Sequence, residues 1–147
     1  MEAQKLSKAG RYQDAAIALE KAIKVSPTFA EAHTNLAVQY LRLGQLEKAR
    51  EQAGLGMEIA GPNIRDLTNL AVAEWSLGRK TEALQFARAA LRLDQRALGA
   101  HYVVGSLLVL NPNTLLEGLH HLELAAEKLP SAAQKLAIYR RTAAGMQ

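Results

Sequence analysis

The chain has 147 residues, 49% of them hydrophobic and 22% charged, and its 18 Lys+Arg against 14 Asp+Glu give a formal charge of +4. This composition is globular rather than disordered, and the length suits one domain or one compact repeat array with a continuous core. The absence of cysteine excludes disulfides, thiol nucleophiles and cysteine-ligated metal centres.

No run reaches the roughly 18 to 20 apolar residues that a membrane helix needs, so no membrane partner is expected. Met1-Glu-Ala-Gln-Lys5 leads into no apolar signal core. The compartment is therefore cytoplasmic by default, with secretion or a periplasmic location open where a signal segment has been removed. Basic residues, among them Lys21, Lys24, Arg42, Arg50, Arg65, Arg79, Arg88, Arg92, Arg140 and Arg141, are scattered among acids. Such scatter suits a solvated surface, and no nucleic-acid partner is expected.

Read in chain order, the sequence repeats itself. Gly10, Gly44 and Gly78 stand at one constant interval of thirty-four positions. Each is followed five residues later by Ala15, Ala49 or Ala83, and twelve residues later by Ala22, Gly56 or Ala90. A fourth copy appears with one residue inserted in its turn, where Gly118, Leu122, Ala125 and Pro130 match Ala15, Leu19, Ala22 and Pro27. Within each unit the apolar spacing is helical: Ala32, Leu36, Ala37, Tyr40 and Leu43 form one stripe, and Leu67, Leu70, Ala71 and Leu77 the next. The three glycines are predicted to end the first helix of each unit, because glycine accepts a left-handed backbone. Thr81, Asn113 or Thr114, and Ser131 are predicted helix N-caps. Pro27, Pro62 and Pro130 fall between units. Small residues recur because a large side chain at a close helix crossing would push the pair apart.

A unit of this length resembles the tetratricopeptide repeat, through Leu36, Ala37, Tyr40, Gly44, Ala49 and Gly56 in one copy and Leu70, Ala71, Gly78, Ala83 and Ala90 in the next. The resemblance implies an all-α fold, an α-solenoid rising as a right-handed superhelix of about four repeats plus a C-terminal helix. The divisions are residues 1–29 for a partial first repeat, then 30–63, 64–97 and 98–132. Residues 133–147 are then a capping helix or the start of a further repeat. The abbreviated first unit suggests a portion of a longer array. Glu74 stands where the family has a tyrosine, on the buried stripe, and is expected to reach an edge or a basic partner. In the last helix Leu136, Ala137 and Tyr139 are expected to cover the stack, while Gln134, Lys135, Arg140 and Arg141 face water.

By the family's phase, first helices line a concave groove that holds an extended peptide or partner helix. The groove residues so implied are Asn35, Val38, Leu41, Arg42, Arg65, Asn69, Val72, Trp75 and Tyr102. Asn35 and Asn69 sit at equivalent places one repeat apart, resembling the family's asparagine ladder toward a peptide main chain. Together with Arg65 they also match part of a carboxylate clamp. The implied function is a noncatalytic protein–protein interaction scaffold with a protein or peptide partner. The alternative is a structural module that self-associates through exposed ends of the solenoid. An enzyme is not expected: no phosphate loop or Ser/His/Asp set is present. Glu117 and His120 have a di-iron-type spacing without a second copy, and His33 and His101, two repeats apart, read as packing. No metal or cofactor is therefore expected.

Overall fold

The computed structural model describes Met1–Gly145. Among the described residues there are nine α-helices and no strand: α1 Glu2–Lys8, α2 Tyr12–Val25, α3 Ala30–Arg42, α4 Leu46–Ala60, α5 Ile64–Ser76, α6 Lys80–Leu93, α7 Leu98–Leu108, α8 Leu115–Ala126 and α9 Pro130–Gly145. Each helix packs on its neighbours in the chain. In addition α3 touches α5 and α5 touches α7, with no comparable contact joining α4 to α6 or α6 to α8. Helices α3, α5 and α7 are therefore drawn together on an inner face while α4, α6 and α8 splay on an outer face. This is an α-solenoid.

The glycine turns follow from backbone hydrogen bonding. Gly10, Gly44 and Gly78 have φ of +76°, +72° and +81°, the left-handed region in which a Cβ is strained. Each lets the following N–H turn back: Arg11 donates to the Leu6 carbonyl, Gln45 to that of Tyr40 and Arg79 to that of Glu74, at 2.8–2.9 Å. Carbonyls left open by the helix end are thereby satisfied. The fourth turn is built differently. Asn111 accepts from the Asn113 N–H, Pro112–Thr114 forms a 3-10 turn, and the Thr114 hydroxyl donates to the Leu108 carbonyl at 2.7 Å.

Three capping expectations are corrected. Thr81 lies inside α6, whose N-cap is Arg79 with no side-chain bond. Thr114 occupies the N-cap of α8 without capping it, because its hydroxyl serves the preceding helix. The last helix starts at Pro130, so Ser131 falls in its first turn. Asn63 supplies a cap that the sequence reading lacks: it accepts from the Asp66 N–H at 2.9 Å and donates to the Asp66 carboxylate at 2.7 Å.

Small residues set the helix spacing. Ala15, Ala49, Ala83, Ala90 and Ala125 are buried, as are Gly56 and Gly118, whereas Ala22 is half-buried. A Cβ on Gly118 would lie 2.6 Å from the Val109 nitrogen, and one on Gly56 would lie 2.9 Å from the Asp66 carboxylate. The apolar clusters run along the stack, from Ala16, Leu19, Leu36 and Tyr40 through Leu67, Val103 and Val104 to Leu122, Ala132 and Leu136. No single helix pair could bury this surface alone. Glu74, only 3% exposed, finds two basic partners, Arg50 at 2.8 Å and Arg79 at 3.4 Å. Glu47 bridges the same two arginines from outside. The ring offsets the desolvation that an unpaired carboxylate would suffer.

Candidate functional site

The inner face carries the residues implied by the repeat phase, on α3, α5 and α7. Asn35, Val38 and Leu41 on α3, Asn69, Val72 and Trp75 on α5 and Tyr102 on α7 are all half-buried, and Arg42 and Arg65 are exposed. Half-burial suits groove walls: these side chains are held by packing yet leave surface for a ligand.

At the first end, Arg65 donates to the Asn35 side-chain carbonyl oxygen at 2.6 Å, joining α5 to α3. This bond fixes the amide orientation, so the Asn35 NH2 group faces elsewhere. It has no hydrogen-bond partner, and neither has the Gln39 side-chain carbonyl, whose own NH2 donates to the Asn35 main-chain carbonyl at 3.3 Å. Asn35 and Gln39 both line a cleft of about 330 Å³ shared with Ala3, Gln4, Ser7 and Lys8 of α1 and with Arg65. An unpaired donor and an unpaired acceptor are thus buried in two residues that line one cleft. Asn69 is partly engaged, donating to the Thr34 main-chain carbonyl at 3.5 Å.

The far end is aromatic. Trp75 and Tyr102 meet edge to face with centroids 5.8 Å apart. The Lys135 ammonium of α9 lies 4.6 Å from the Trp75 ring and 5.0 Å from that of Tyr102, close enough for cation–π attraction to both. The expectation that Lys135 faces water is thus corrected: its stem and charge cover the aromatic pair. Ala137, expected to cover the stack, is exposed, and Ala132 takes the buried place. At the other flank Arg42 lies 4.9 Å over the Tyr12 ring.

Gln4, Ser7 and Lys8 line the same cleft and are missing from the implied set. A signal for them exists: they stand one full repeat before Val38, Leu41 and Arg42. Gln39 has no such signal, because its neighbours by phase, Lys5 and Ala73, share none of its chemistry.

The histidines resolve into packing pairs. His33 donates from Nε2 to the Pro27 carbonyl at 2.8 Å, and its Nδ1 meets the Gln52 amide at 2.7 Å. His101 donates from Nε2 to the Gln95 carbonyl at 2.7 Å, and its Nδ1 meets His121 Nδ1 at 2.8 Å. Glu117, of the Glu117–His120 spacing, pairs with Arg88 at 3.4 Å. Among the described residues no three His, Asp or Glu side chains gather where they could hold a metal. No described helix is long and apolar enough to cross a membrane.

Family models described as tetratricopeptide repeat match residues 18–51 and 67–101. The chain belongs to the tetratricopeptide repeat family. Over 78 residues, 53% of the chain, it is 36% identical to the TPR repeat-containing thioredoxin TTL4 of Arabidopsis thaliana, of which the match spans 11%. The solved structure of TTC0263, a thermophilic TPR protein of Thermus thermophilus, is 24% identical, with a TM-score of 0.81 over 95% of this chain and 78% of that one. YrrB, described as a TPR protein with an unusual peptide-binding site, is 18% identical with a TM-score of 0.70, over 95% of this chain and 73% of its own. At these identities the structural likenesses establish the fold. The tetratricopeptide repeat fold is in turn a protein–protein interaction scaffold, and nothing in this chain indicates an enzymatic activity.

Proposed function

We propose that this tetratricopeptide array, with repeats divided at 30–63, 64–97 and 98–132, holds an extended segment of a partner protein along its inner face. The observation that carries the reading is that Asn35 and Gln39, which line the first cleft, hold a buried NH2 and a buried carbonyl without partners. Buried polar groups without partners are costly, and a peptide main chain offers one acceptor and one donor per residue. Asn35 and Asn69 then contact the main chain regardless of its sequence. Val38, Leu41 and Val72 receive apolar side chains, Arg42 and Arg65 favour acidic ones, and Trp75 and Tyr102 form a far anchor. YrrB's described peptide-binding site supports a peptide ligand for this fold without placing it.

The test is a selection of peptides from a display library on the full chain, followed by titration of the selected peptides against Asn35→Ala/Asn69→Ala. At least a tenfold loss of affinity is expected, on the order of 1–2 kcal/mol for lost hydrogen bonds. Undiminished affinity in a folded double variant rejects the groove.

A second reading, self-stacking, is favoured by Ile138, 60% exposed on the outermost helix. A monodisperse monomer by light scattering across a hundredfold concentration range would exclude it.

A further inference from the structure

The outer face carries a second opening, of about 1060 Å³, between α6 and α8. Its lining includes Arg88 and Arg92 of α6, Arg96 in the turn to α7, and Leu91, Leu93 and Leu124. His120 and His121 border it from α8, and His101 from α7. Arg88 is engaged with Glu117. Arg92 and Arg96 have no carboxylate within salt-bridge distance among the described residues, since Asp94, the one acid of the lining, accepts from the Arg96 main-chain N–H at 2.8 Å. An adjoining pocket that shares Gln95, Arg96, His101 and Leu124 adds Lys128 and Glu127.

We propose that this outer cleft is a second docking site, for an acidic protein segment that carries an apolar side chain. Repeat packing does not call for these arginines. One repeat earlier, the places of Arg88, Arg92 and Arg96 are held by Gly54, Glu58 and Pro62. One repeat later, allowing for the inserted residue, they are held by Glu123, Glu127 and Ser131. One repeat alone therefore presents a run of guanidinium groups, and neither neighbour preserves it. Charge complementarity selects an anion, and the planar fork of arginine suits carboxylates in particular. Length selects a chain over a single small oxyanion. Arg88 and Arg92 are about 6 Å apart along the helix axis, and Arg96 extends the row. The apolar part of the lining selects a peptide over an inorganic polyanion, because Leu93 is 53% exposed beside half-buried Leu91 and Leu124. A leucine or similar side chain of the partner would cover it.

The site is tested on the full chain by fluorescence anisotropy with a labelled peptide of alternating Glu and Leu. Three double variants are compared: Arg92→Glu/Arg96→Glu, Lys21→Glu/Lys24→Glu with the same change of net charge on a more distant helix, α2, and the groove variant Asn35→Ala/Asn69→Ala. The expected result is saturable binding that falls at least about tenfold in the first variant and stays within about twofold in the other two. Equal losses in both charge-reversed variants would reduce the effect to net charge and overturn the proposal. Loss confined to the groove variant would move the peptide to the inner face, with the same consequence. No saturable binding overturns it outright. So does tripolyphosphate binding to this cleft while the peptide does not.

Discussion

His101 and His121 face one another through Nδ1 atoms 2.8 Å apart, in the place where an earlier repeat sets His33 against Gln52. The His101 Nε2–H is committed to the Gln95 carbonyl, and one of the two facing Nδ1 atoms donates to the other. Burial, with His101 next, holds the His121 imidazole below its ordinary pKa, although Glu117 pulls the other way and His120 and Arg88 add to the lowering.

The folded chain therefore binds fewer protons at His121 than the unfolded chain does just below the ordinary imidazole pKa of about 6.5. Stability is accordingly complete above that pH and falls on acidification through it. Thermal unfolding followed from about pH 8 to about pH 5 should show a declining midpoint. His121→Gln, which recreates the earlier repeat's pair, should flatten that decline while retaining the helical circular dichroism. An equally steep decline in the variant would remove His121 as its source.

Gly118 and Gly54 should respond oppositely to alanine. At Gly118 the added carbon meets the Val109 nitrogen at 2.6 Å and the Leu108 carbonyl carbon at 3.0 Å, which are backbone atoms that cannot rotate away. Overpacking of this kind costs about 1–3 kcal/mol, more than the ~1 kcal/mol gained from alanine's helix propensity. Gly54 lies within α4 with nothing within 4 Å of its added carbon, so only the gain remains. Denaturant titrations should place Gly118→Ala below and Gly54→Ala above the parent chain.

Lys135 covers the Trp75–Tyr102 pair, and Trp75 is the sole tryptophan. Replacing Lys135 by alanine should expose the indole, seen as a red-shifted emission and stronger acrylamide quenching. Loss of the cation–π contacts should cost about 0.5–1 kcal/mol. An apolar or aromatic peptide residue that occupies this end should bind the variant more tightly, because no lysine has to be displaced. An unchanged emission spectrum would show that Lys135 does not shield the ring.

The solenoid is legible in the sequence because its causes are local. A glycine at three of the four turns, apolar stripes at helical spacing and small residues at the crossings each act within one hairpin or between neighbours, so the period records them directly. The polar end of the inner face is legible on the same ground: Asn35 and Asn69 share one phase, and Gln4, Ser7 and Lys8 can be added by it. Relations that cross repeats are not. Arg65 reaches Asn35, Arg50 and Arg79 close on Glu74, and Lys135 lies over two rings only once the superhelical rotation has set one hairpin against the next. Lys135 is read as water-facing from its charge alone, and only the placement of α9 brings it over the two rings. Arg88, Arg92 and Arg96 already stand four apart in sequence, whereas the cleft they line exists only where α6, α8 and the turn after α6 enclose it. Sequence by itself determined the unit and its stacking, whereas tertiary structure decided which charges and rings meet, because those distances depend on a rotation summed over the whole stack.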